Sequence, residues 1–235
     1  MKEHLKDYFP DRFDNGSGPL SLGYKIFDLI DSSKERRHRA NCERKVAYVF
    51  NRSNELQLLA GAMKKYGCDF NLLRHVSCEK CKNCAGGFDP DTNQIIICYT
   101  ESLNEHKIMA TMMHEMVHMF DYCRVKFDFN NLEHVACSEI RAANLTYCSI
   151  SDRLMHGGPG LLDFKKTHQY CVKDIAFQSI KAYSPETDDS KLWSIVDKVF
   201  PDCYNDLEPF GRRPTSGVKN FKHSYRERFH YGYVY

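Results

Sequence analysis

The stretch Ile108-Met109-Ala110-Thr111-Met112-Met113-His114-Glu115-Met116-Val117-His118-Met119-Phe120-Asp121 reads as a buried helix with a divalent-metal site built into it. It is apolar almost all round, the pattern of a helix enclosed by protein. Two histidines and a glutamate are costly in such a setting unless something satisfies them, and a cation would. Residues four apart share a helical face, so His114 and His118 can grip one ion. Glu115 lies one residue round, where its carboxylate can act as general base on a water beside the metal without ligating it. This is the zinc-hydrolase signature, most often a peptidase, with one catalytic Zn2+. The bland alternative is a hydrogen-bonded pair of core histidines with Glu115 at the surface.

A catalytic zinc needs a third protein ligand. Asp121 is seven residues beyond His114, about 10 Å along the axis, too far for three ligands of one straight helix to converge. It reads instead as a residue behind the ligands or at the helix end. A second helix is expected over Glu133 to Leu145. There Glu139 shares a face with Val135, Ala136, Ala142 and Ala143, whose small side chains let two helices approach closely. A lone carboxylate on an apolar face needs a partner, and His-His-Glu leaves one zinc position open for water. Glu139 is therefore the preferred third ligand and His134 the fallback. A buried salt bridge from Glu139 to Arg141 or Arg153 is the structural alternative. His168 and Tyr122 are candidate hydrogen-bond donors to the oxyanion of a tetrahedral intermediate.

Elsewhere, Asn54 to Tyr66 has helical periodicity closed by Gly67, and a short strand is expected around Leu72 to Val76. Asp89 to Asn93 reads as a turn and Gln94 to Tyr99 as a strand, in the core or at an edge where an extended substrate could pair. Tyr170 to Ala182 and Lys191 to Asp202 read as helices separated at Pro185. Eleven cysteines are many for an ordinary cytosolic enzyme. Cys78, Cys81 and Cys84, with Cys98 across a hairpin, suit either a thiolate metal knuckle or disulfides, and spacing does not choose between them. An odd total leaves at least one thiol outside intrachain pairs.

A net charge of +2 over 235 residues gives no reason to expect nucleic acid as a partner. No apolar run is long enough to span a bilayer. Met1 to Phe13 mixes Lys, Asp and Glu, unlike a secretory signal or a standard mitochondrial presequence.

Further motifs surround the metal pentapeptide: Val76-Ser77-Cys78-Glu79-Lys80-Cys81, Gly86-Gly87-Phe88-Asp89, and Gln94 to Cys98. After it come His134-Val135-Ala136-Cys137-Ser138-Glu139-Ile140-Arg141-Ala142-Ala143-Asn144-Leu145, Cys171-Val172 and Glu208-Pro209-Phe210-Gly211-Arg212. With these the chain resembles, over about Asn54 to Pro214, the mitochondrial inner-membrane metalloprotease family of ATP synthase assembly. Vertebrate members of that family also carry a Ku-binding-protein name.

The resemblance implies a zinc endopeptidase of the intermembrane space, peripheral to the inner membrane. It would trim the precursor of a mitochondrially encoded ATP synthase subunit and assist its assembly. Alternatives are a non-proteolytic assembly chaperone or a DNA-repair (Ku-binding) scaffold retaining the metal site. The same resemblance favours disulfides, with Cys68, Cys78, Cys81, Cys98, Cys137, Cys148, Cys171 and Cys203 as structural cysteines. Cys42 and Cys84 look additional to the family's pattern.

The expected fold is α+β and mostly helical, a zincin-like metallopeptidase domain with a small sheet beside the active-site helix. That domain is expected over residues 24–214, with a Cys-rich hairpin at 78–98. An N-terminal extension, 1–23, precedes it and a basic, aromatic C-terminal tail, 215–235, follows.

Overall fold

A computed structural model describes residues 8–9, 22–100, 104–148, 164–213 and 221–235. Helix α1, Leu22–Arg52, begins inside the expected N-terminal extension, of which only Tyr8 and Phe9 are otherwise described. Its Cys42, Val46, Val49 and Phe50 form a buried stripe at helical spacing, while Lys34 and the basic residues 36–39 stay in solvent. Ser53 caps α2, Asn54–Lys65, accepting the Leu56 N–H at 3.2 Å.

The strand expected from Leu72 is instead a helical turn, α3, Leu72–His75. Its cause is Asn71, whose side-chain oxygen accepts the N–H groups of Leu73 and Arg74 at 3.0 and 3.2 Å. Extended backbone starts only at Val76. Three strands follow, β1 (Val76–Glu79), β2 (Gly86–Asp89) and β3 (Gln94–Cys98), in the order β1-β3-β2. β1 runs parallel to β3, so the hairpin is confined to β2 and β3 rather than extending over 78–98. The Asp89 carboxylate closes that hairpin by accepting from the Asp91 N–H and the Thr92 hydroxyl at 3.0 and 2.7 Å. β3 is thus the central strand, and β2 is an edge strand.

β2 lies against α4, Glu105–Arg124, the helix that carries the metal motif. Gly86 permits the approach: a Cβ there would fall 2.5 Å from both the Ile96 carbonyl oxygen and Thr111 Cγ2. Among the described residues the remaining α-helices are α5 (Leu132–Thr146), α6 (Phe164–Tyr183), α7 (Asp189–Asn205) and α8 (Lys222–Glu227). One apolar core joins α1, α2, the sheet and α4 through residues such as Leu56, Ile95, Met112 and Phe120. A second joins α5, α6 and α7 through Ile140, Val172, Ile180, Leu192 and Val196. The α4–α5 contact, which carries the site, lies between them.

The described part of the expected C-terminal tail belongs to the first core. Phe221 and Tyr233 are buried, Phe221 stacks on Phe210 at 4.0 Å, and Ser224 donates to the Phe210 carbonyl at 2.7 Å. Burial of Phe221 and Tyr233 outweighs the basic character that suggests a solvated tail.

Five disulfides staple the fold: Cys42–Cys78, Cys68–Cys123, Cys81–Cys98, Cys137–Cys203 and Cys148–Cys171. All eight expected structural cysteines take part, joined by Cys42 and Cys123. Cys137–Cys203 ties α5 to α7 across a sequence separation of 66, worth about 4 kcal/mol in chain entropy alone. Among the described residues no helix is long and apolar enough to cross a membrane.

Candidate metal centre

Asn104 caps α4 by accepting the Lys107 N–H at 2.8 Å, and the helix runs from there through the core with His114 and His118 one turn apart. Their Nε2 atoms face each other at 3.0 Å. α5 approaches on a face of fully buried Ala136, Ala142 and Ala143, which lets Glu139 reach the same point. Its Oε1 is 3.5 Å from His118 Nε2 and its Oε2 3.6 Å from His114 Nε2. All three ligand atoms lie within 4.8 Å of one another.

Two polar atoms here are buried without a hydrogen-bond partner, Glu139 Oε2 and His114 Nδ1. Buried polar atoms are rarely left so, and a carboxylate oxygen without a donor is an unmet demand for positive charge. Two imidazoles and one carboxylate form a borderline-soft set that suits zinc, with room for an open fourth position. The residues present therefore fit a divalent cation.

The electrostatics agree. Burial pushes the Glu139 carboxyl up, but His118 and His114, with the Ser179 hydroxyl, hold it down at about 2. Burial lowers His118 to about 4, so its ring is neutral, the form a metal requires. Burial also lowers His114, but the Glu139 and Glu115 carboxylates outweigh it and raise the imidazole overall. Glu115 is raised to about 7, chiefly by burial, with a main-chain hydrogen bond from Phe88 of β2 opposing the rise.

Behind the histidines stands a polar chain that includes Asp121, as its place one turn beyond His118 suggests. His118 Nδ1 is 2.8 Å from Ser138 Oγ, which donates to Asp121 at 3.0 Å. Asp121 in turn accepts from Arg141 Nε at 2.9 Å and Arg124 Nε at 3.1 Å. Arg141 is fully buried; its other donors reach the main-chain carbonyls of Asp206 and Glu208, at 2.7 and 2.6 Å, and the Asp206 carboxylate, at 2.6 Å. It thus serves Asp121 and Asp206, and the salt bridge from Glu139 to Arg141 does not form; Arg153 lies outside the described residues.

The other candidates stand elsewhere. His134, in the first turn of α5, accepts the Asp128 N–H at Nδ1, 3.1 Å away. It sits about 140° round the helix from Glu139, so the two cannot face one ion. His168, on α6, places Nδ1 2.8 Å from the Tyr204 hydroxyl. Tyr122 is partly exposed and packs its ring between Phe88 and Phe129, at centroid distances of 5.8 and 5.6 Å. The tyrosine beside the histidines is Tyr147, with its ring centroid 5.1 Å from that of His114. Burial, then the Glu115 and Glu139 carboxylates, push its phenol well above the ordinary value. A signal for it exists in the sequence: Glu139, Ala143 and Tyr147 recur every four residues, one stripe of α5.

A mostly helical domain, with a small sheet against the helix that bears the paired histidines, is the architecture of zincin-like peptidases. The chain belongs to the peptidase M76 family, whose model it matches over residues 40–211. It is 41% identical over 218 residues to the mitochondrial inner membrane protease ATP23 homolog of Homo sapiens, covering 91% of this chain and 83% of that one. It is 40% identical over 192 residues to the protein of that name from Xenopus laevis, covering 79% and 78%. With mitochondrial inner membrane protease atp23 of Schizosaccharomyces pombe it shares 35% identity over 180 residues, covering 76% and 94%. No solved structure matches the chain.

Proposed function

We propose that the chain is a zinc-dependent endopeptidase of the HExxH type, with Glu115 as general base and His114, His118 and Glu139 as the metal ligands. The observation that carries this reading is the convergence of three ligand atoms within 4.8 Å, two polar atoms of the cluster being buried and unpartnered. Zinc held there would supply Lewis acidity, lowering the pKa of a coordinated water and polarising the scissile carbonyl.

The chain's own residues do the rest. Glu115 takes a proton from the attacking water and passes it to the leaving amine, and burial, which raises its carboxyl to about 7, leaves both carboxylate states accessible near neutral pH. Tyr147 donates its phenolic hydrogen to the developing oxyanion; its raised pKa keeps that hydrogen in place at neutral pH. β2, whose Phe88 main chain already reaches Glu115, is the edge against which an extended peptide pairs.

The substrate we propose is a protein, the precursor of a mitochondrially encoded ATP synthase subunit, whose assembly the chain also assists. The resemblance and the relatives' names as mitochondrial inner membrane proteases support this. They also support residence in the intermembrane space, peripheral to the inner membrane. Five disulfides suit an oxidising compartment.

The test is Glu115→Gln in the zinc-loaded protein. Cleavage of the precursor should fall by about 10²–10⁴ with zinc content unchanged. Equal cleavage in that variant would remove Glu115 as base.

A further inference from the structure

The eleventh cysteine is placed against a disulfide. Cys84 Sγ lies 3.7 Å from Cys98 Sγ, and Cys98 is bonded to Cys81. The three sulfurs are all within 4.8 Å of one another. A tight turn produces this: Asn83 adopts φ 57°, a left-handed conformation that asparagine tolerates, and folds Cys84 back over the Cys81–Cys98 bond. Cys81 and Cys98 are buried beneath Phe9, whereas Cys84 is half-buried and within reach of solvent.

We propose that Cys81, Cys84 and Cys98 form a thiol–disulfide exchange site, separate from the metal centre. In it the Cys84 thiol displaces Cys81 from Cys98. Cys84 loses its proton to solvent, and its thiolate attacks Cys98 Sγ. The Cys84–Cys98 bond forms as the Cys81–Cys98 bond breaks, and Cys81 leaves as a thiolate that takes up a proton. No electrons are gained or lost overall, so no oxidant is required. Cys98 ends β3, Cys81 follows β1, and Cys84 precedes β2 by two residues. Exchange therefore moves the covalent tie of β3 from its β1 side to its β2 side. There the Cys98 N–H already donates to the Ala85 carbonyl at 3.0 Å. β2 is the edge strand against α4, and its Phe88 main chain reaches Glu115, so the exchanged form straps the edge that adjoins the site.

Timed incubation of the intact oxidised protein at about pH 8.5, near the ordinary thiol pKa, followed by trapping with N-ethylmaleimide and peptide mapping, tests this. Cleavage after Lys80 and Lys82 puts Cys81 and Cys84 on different peptides. The label should begin on Cys84 and spread to Cys81 as a Cys84–Cys98 cross-link accumulates. In Cys81→Ser, Cys84 and Cys98 should be joined and both refractory to alkylation. Amide exchange over residues 86–89 should then be slower than in Cys84→Ser. Label confined to Cys84 at every time, with both thiols reactive in Cys81→Ser, would overturn the proposal. Equal amide exchange in the two variants would overturn the strapping of β2.

Discussion

Ser138 donates its hydroxyl hydrogen to the Asp121 carboxylate, 3.0 Å away, and this fixes the tautomer of His118. Asp121 is held by two arginines and can only accept, so the serine's one hydrogen is committed to it. The 2.8 Å contact between Ser138 Oγ and His118 Nδ1 must then be a hydrogen bond donated by the ring. Nδ1 carries the proton, and Nε2 turns its lone pair towards His114 and Glu139. A metal-ligating histidine needs this arrangement, and such partners raise ligand basicity as well as fixing the ring.

Ser138→Ala should therefore weaken zinc binding about 10–100-fold while leaving the fold intact. Competition against a chelating dye, alongside thermal melting of the metal-free protein, measures both quantities. An unchanged zinc affinity would mean that the ring is oriented by packing alone.

Tyr147→Phe removes one hydroxyl and little volume. Loss of an oxyanion donor typically lowers kcat by about 10²–10³, and KM and zinc content should hardly move. Steady-state kinetics with metal analysis separates this from a structural role, in which zinc content or melting temperature would fall instead. Tyr122→Phe, whose ring packs between Phe88 and Phe129, should keep kcat within a few-fold.

The arginine network makes a claim about acid stability. Burial raises the Asp206 carboxyl, but Arg141 and Arg124 outweigh it and leave the folded pKa below the ordinary 3.8. A group depressed on folding stabilises fully above its unfolded pKa and loses that contribution as pH falls through the folded one. Melting temperature should thus drop as pH falls below about 4, and Asp206→Asn should flatten that part of the profile. A variant profile parallel to that of the wild type would contradict this.

Much of the site could be read from residue spacing because helices translate spacing into faces. His114, Glu115, His118 and Glu139 needed only the 3.6-residue repeat and the small-residue face of α5. Tyr147 shared that face but was missed because it lies just past the helix end. The Ser138–Asp121–Arg141 chain joins two helices and the main chain of a third segment, and no single periodicity reports such a junction. The helical turn at Leu72 was hidden because one side chain, Asn71, decides it. Phe221 and Tyr233 dock the described C-terminal segment into the first core, a contact that its basic and aromatic composition alone does not report.

Metal stoichiometry of matched variants tests the central claim most directly. The wild-type chain, loaded with zinc and dialysed, should retain one ion, His134→Ala should retain the same, and Glu139→Ala should lose most of it. Full retention in Glu139→Ala, or loss in His134→Ala, would contradict the three-ligand centre on which the catalytic account rests.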